Sequence, residues 1–138
     1  MKRYVLAPTV LVLAVLVFAF ASPGHAARSV PIQTYGNANL SSYGKLTADQ
    51  VGDAIIRGGA SIGWQMSKVS PGLITATVTG GRNSSATVEI QYSAQEYTIK
   101  YRDSINMKAQ GGTIISTYNR WVERLQRNID AQIPRPLK

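Results

Sequence analysis

The sequence predicts an α+β domain of two layers: a helix, a four-stranded antiparallel meander and a second helix, with both helices on one sheet face. Three observations carry this. Between Ile74 and Arg102, three segments alternate apolar and polar residues with period two and are separated by turn residues. Before and after them, Val51 to Ile62 and Ile114 to Ile129 repeat apolar residues at helical spacing. Strict alternation leaves only one face of the sheet apolar, so both helical stripes must be buried there.

The chain opens with a segment of a different kind. Lys2 and Arg3 precede an apolar run from Val10 to Ala21, Pro23 and Gly24 break it, and Gly24-His25-Ala26 places small residues at −3 and −1. This is the pattern of a secretory signal peptide, residues 1–26, cleaved after Ala26. The rival reading, an uncleaved anchor over Tyr4 to Ala21, is short for a span and contains Pro8. Cleavage would remove the only histidine, His25, together with Lys2 and Arg3, leaving 13 basic against 7 acidic residues, a net +6. No cysteine is present, so an exported product would rely on packing without a disulfide or an N-terminal lipid.

Residues 27–46 lack periodicity and are rich in Ser, Gly and Asn, which predicts a flexible leader. The domain itself is expected over residues 47–133. Thr47 and Gln50 form a capping box at the start of the first helix, and Asp49 and Asp53 complement its dipole. Val51, Ala54, Ile55, Gly58 and Ile62 share one face, and Gly63 is the expected stop. Gly58-Gly59 is costly in a helix interior unless the missing side chains permit close packing against the sheet. A first strand is expected over Trp64 to Val69. Ser70-Pro71-Gly72, Gly80 to Ser84 and Ala94-Gln95-Glu96 then make the three turns. The alternating apolar positions are Ile74, Ala76 and Val78, then Ala86, Val88, Ile90 and Tyr92, then Tyr97, Ile99 and Tyr101. A polar stretch from Asn106 to Gly112 leads to the second helix, expected from about Thr113 to Ile129. Its stripe is Ile114, Tyr118, Trp121, Val122, Leu125 and Ile129. Ile133-Pro134-Arg135-Pro136 ends it, leaving a short tail, residues 134–138.

Several motifs occur in a fixed order: Gly63-Trp64, Ser70-Pro71-Gly72-Leu73-Ile74-Thr75-Ala76, Ala86 to Tyr92, Tyr97 to Tyr101, Asp103-Ser104-Ile105-Asn106 and Tyr118-Asn119-Arg120-Trp121-Val122. Together they resemble a group of small, uncharacterised bacterial envelope proteins, many labelled lipoproteins. The resemblance spans about residues 47 to 130 and implies a periplasm-facing domain, without implying an activity. The missing lipid-accepting Cys departs from the group and favours a soluble periplasmic form.

The residue inventory argues against catalysis. A mature chain without His or Cys lacks the commonest general base, a thiol nucleophile and the ligands of structural zinc sites. Asp49 and Asp53 share a helix face, but dipole complementation accounts for them without an acid–base role. Ser42-Tyr43-Gly44-Lys45 matches the S-x-x-K pattern of penicillin-binding enzymes, yet the Lys-Thr-Gly element is missing and the chain is far too short. Gly80-Gly81 lacks the Gly-Lys-Ser/Thr ending of a phosphate loop. No enzyme, cofactor or metal is expected, and a carboxylate-based hydrolase is the least favoured alternative.

Two groups of residues are left as candidates for binding. Asp103, Ser104, Asn106, Tyr118 and Asn119 could make a polar recognition cluster, although Asn119 tying the 103–112 loop to the second helix is the plainer expectation. Lys100, Arg102, Arg120, Arg124 and Arg127 could make a basic surface, although scattered basic residues usually just keep a surface solvated. Trp64 and Trp121 could stack a ligand, but on apolar faces they are expected in the core. The partners that fit are another envelope protein or an anionic envelope surface of lipid, lipopolysaccharide or cell wall. Nucleic acid does not fit, since the aromatics face inward and no stacking platform is left.

Overall fold

The computed structural model describes residues 28–134. The expected signal peptide and residues 135–138 of the expected tail lie outside the described residues. The rest is an α+β fold with two helices and a five-stranded antiparallel sheet. Its elements are β1 (Ser29–Pro31), β2 (Tyr35–Asn37), a 3-10 turn (Leu40–Tyr43), α1 (Ala48–Ala60), β3 (Gln65–Ser70), β4 (Leu73–Thr79), β5 (Ser85–Tyr92), β6 (Tyr97–Ile105), β7 (Thr113–Ile115) and α2 (Ser116–Gln132).

The main sheet runs β2-β6-β5-β4-β3, and β1 pairs separately with β7. Register follows the alternation. Ile74 pairs with Ile90 and Ala76 with Val88, and Ile90 meets Ile99 on its other side. Ile74, Ala76, Val88, Ile90 and Ile99 are therefore all fully buried in one layer. Val51, Ala54 and Ile55 of α1 and Tyr118, Val122, Leu125 and Ile129 of α2 close the same core. Each such large side chain contributes about 1.5–3 kcal/mol when removed from water, so the stripe and the alternation stabilise each other.

α1 begins as its capping box predicts. The Thr47 hydroxyl accepts from the Gln50 amide at 3.1 Å, and the Gln50 side-chain oxygen accepts from the Thr47 amide at 2.9 Å. It ends at Ala60, one turn before the Gly63 stop, which has φ +88°. Gly58 does serve close packing, but against the other helix: a methyl there would lie 2.7 Å from the Ile129 Cα. The two helix backbones can approach at this point only because Gly58 has no side chain.

Four further expectations are corrected. The stretch read as a leader is part of the domain: β2 pairs with β6, and Leu40 is fully buried. Its composition hides this because strands of three residues carry no readable period, while one buried leucine and an edge pairing suffice to hold it. The sheet consequently has five strands, not four. β6 continues past Arg102 to Ile105, since a bulge between Thr87 and Val88 absorbs one residue and lets pairing resume at Asp103. Finally, Thr113 to Ile115 is strand and not the first turn of the second helix, because those residues are claimed by pairing with β1.

Candidate functional site

The two faces of the sheet differ in what lies on them. Both helices occupy the inner face, so Thr75 and Thr77 of β4, Thr87, Glu89 and Gln91 of β5, and Thr98, Lys100 and Arg102 of β6 form the outer face. Cross-strand neighbours on it are already matched. The Thr77 and Thr87 hydroxyls lie 3.0 Å apart, the Arg102 guanidinium reaches Glu89 at 3.7 Å, and it donates to the Thr75 hydroxyl at 3.3 Å. At one end of this face a concavity of about 360 Å³ is lined by Leu73, Gln91, Ser93, Glu96 and Thr98. At its side, β3 has one neighbour only among the described residues, β4, and its far edge pairs with none of them. Lys68 sits on β3 at an inner-face register position and is exposed, and a bulge separates it from Ser70. Both features discourage indiscriminate strand addition at that edge.

The expected polar cluster does not converge. Asp103 accepts from the Ser104 amide at 2.8 Å, and the Ser104 hydroxyl lies 2.9 Å from the Tyr101 hydroxyl. Asn106 instead donates to the Asn83 carbonyl of the β4–β5 hairpin at 3.0 Å. Asn119 does not tie down the 103–112 loop as expected; it reaches the N-terminal arm. Its amide donates to the Pro31 carbonyl at 3.0 Å, and its oxygen accepts from the Gln33 amide at 3.3 Å. The polar groups thus act separately as local ties. Tyr118 packs edge-on against Tyr101, with ring centroids 5.5 Å apart.

The basic residues are divided as well. Lys100 and Arg102 stand on the outer face of the sheet, whereas Arg120, Arg124 and Arg127 are exposed on α2, in the opposite layer. Arg127 pairs with Glu123 at 3.4 Å. The carboxylates are likewise dispersed: Glu89 and Glu123 pair with arginines, Asp103 accepts a local amide, and Asp130 accepts from the Tyr97 hydroxyl at 2.6 Å. Among the described residues no group of three or more His, Cys, Asp or Glu side chains could hold a metal ion.

The Tyr97–Asp130 contact belongs to a network that pins the N-terminal arm. Asn37 also donates to Asp130 at 3.4 Å, and the Gln126 amide donates to the Gly36 carbonyl at 2.7 Å. Burial, and then the bond to Asp130, hold the Tyr97 phenol well above the usual tyrosine range. Burial also raises Tyr118, whose hydroxyl has no hydrogen-bond partner among the described residues.

A second concavity, of about 200 Å³, opens between the layers where the β4–β5 hairpin meets α2. Trp64 and Trp121 both line it. Trp64 is buried, as expected of core, but Trp121 is only partly so. No signal in the sequence joins these two residues, because only the packing of α2 on the sheet brings both to one concavity.

Neither protein-family models nor the curated proteins compared with this chain show a match to it. No helix among the described residues is long and apolar enough to cross a membrane.

Proposed function

We propose that this chain is an exported, non-catalytic envelope protein that binds another envelope component through the outer face of its sheet. The observation that carries the reading is the placement of both helices on one side, which leaves a broad polar sheet surface that no other element among the described residues covers. That surface offers hydroxyls, an amide and a 360 Å³ recess rimmed by Gln91, Ser93, Glu96 and Thr98. Directional polar groups around a shallow recess suit recognition of a protein or polymer surface. The N-terminal signal pattern supports export, and the motif resemblance supports the envelope as the compartment. The lack of His and Cys after residue 26 supports a binding role over catalysis.

A photo-crosslinking residue at Thr98, on the outer face, should yield a discrete adduct in envelope preparations. The same residue at Asp53, exposed on α1, should not. No adduct, or the same adduct from both positions, would overturn the reading.

One alternative is favoured by the net +6 of residues 27–138: electrostatic attachment to anionic lipid, lipopolysaccharide or cell wall. It requires sedimentation with anionic vesicles that falls steeply as salt is added. The division of the arginines between two layers weakens it, since no single orientation presents them all to one surface.

A further inference from the structure

The concavity between the layers has features that a core defect would not. Trp121 lies on the apolar stripe of α2, and its stripe neighbours Tyr118, Val122 and Leu125 are fully buried, yet its indole is left partly open. Its ring is seated against the hairpin by Gly80, where an added methyl would lie 2.5 Å from the indole. Ile62, Trp64 and Val78 line the concavity with apolar groups and Thr79 with a polar one, and Arg124, one turn along α2 from Trp121, lines it as well. Arg102 and Arg127 have carboxylate partners, but Arg124 has no ion-pair partner among the described residues. A guanidinium without an ion-pair partner beside an indole and aliphatic side chains offers an anion a charge-assisted hydrogen bond next to an apolar face.

We infer that this pocket binds a small organic monoanion: a carboxylate carried on a single ring that has an apolar face. The ring face lies against the indole of Trp121 and the carboxylate pairs with Arg124. The volume of about 200 Å³ accommodates one ring. A single charge matches the single arginine, and the Gly80 amide already donates to the Ser84 carbonyl at 2.8 Å, so it adds no donor for a phosphate dianion. Acidic monosaccharides and alicyclic carboxylates share this chemistry. The pocket faces the space between the layers, so the inference stands independently of any partner on the outer sheet face.

The chain contains only two tryptophans and both line the pocket, so intrinsic fluorescence reports occupancy directly. The protein is titrated with sodium glucuronate and with sodium cyclohexanecarboxylate at constant ionic strength, with glucose and cyclohexylmethanol as neutral counterparts. A saturable change is expected with at least one anion, at a Kd on the order of 1 mM for so few atoms. Arg124→Gln should weaken it about tenfold or more, and the neutral counterparts should bind about tenfold more weakly or worse. Arg124 is exposed, so that variant retains the fold; circular dichroism checks this, and Gly80→Ala, which displaces the indole, should also abolish the response. Response to glucuronate alone would identify the saccharide source, and response to the cyclohexane acid alone the alicyclic one. No saturable change with either, equal binding of the neutral compounds, or an Arg124→Gln variant that binds as well as the parent would overturn the inference.

Discussion

Tyr97 and Tyr118 show what one hydroxyl is worth in two surroundings. Both rings are buried, but the Tyr97 hydroxyl donates to a carboxylate at 2.6 Å while the Tyr118 hydroxyl has no partner among the described residues. Tyr97→Phe should therefore cost about 1–3 kcal/mol, because it removes a charge-assisted bond and leaves Asp130 less satisfied. Tyr118→Phe should leave stability unchanged or raise it by about 1 kcal/mol, since the lost hydroxyl has paid its desolvation without a bond in return. Urea unfolding of the two variants gives both numbers, and equal losses would refute the contrast. The alternation in the sequence marks Tyr97 as inward-facing, and the helical stripe does the same for Tyr118. Neither pattern says where a phenol oxygen finds a partner, because that depends on residues more than thirty positions along the chain.

At the scale of the element, α2 is held by more than its apolar stripe. Tyr97, Asn37, Asp130, Gln126 and Gly36 join β6, α2 and β2 by side-chain bonds that cross up to 93 positions. This junction has a consequence for pH. Burial and the bond to Asp130 raise the Tyr97 phenol above its ordinary value of 10.0, and burial raises Tyr118. The folded state thus holds these protons at pH values where the unfolded chain releases them. Their contribution is fully present below the unfolded value of 10.0 and is lost as pH rises above it toward the folded values. Unfolding midpoints should fall between about pH 9.5 and pH 11, and less so in the Tyr97→Phe, Tyr118→Phe double variant. Identical profiles for parent and double variant would exclude this origin, because lysine titration is common to both.

The elements themselves were legible to different degrees. The capping box places the start of α1, and the turn residues place β3 to β5 and the start of β6 to within a residue or two, since each of these signals is local. Gly58 reads in the sequence as a close-approach residue, but the neighbour it approaches is α2 and not the sheet. Its lack of a side chain is written in the sequence, while the identity of what fills the space is not.

At the scale of the whole molecule, the domain begins well before Thr47. Leu40 is fully buried, Tyr35 and Gly36 extend the sheet, and Asn119 and Gln126 hold the arm by backbone carbonyls. A chain starting at residue 46 should lose about 3 kcal/mol or more from Leu40 and the arm bonds alone. That corresponds to a fall in Tm of about 10 °C or more, read against a chain starting at residue 28. It would also expose the edge of β6, so association at high concentration is expected. Equal melting of the two chains would show the arm to be dispensable. By itself, the sequence determined the layer arrangement and which face of each strand is buried, because a period of two or of 3.6 is set within one segment and leaves a single apolar side to cover. Only the tertiary structure decided the fifth strand, the use of Asn119 and the concavity that Trp64, Trp121 and Arg124 line together. Those depend on which distant segments share a surface, and no local pattern encodes the partner on the far side.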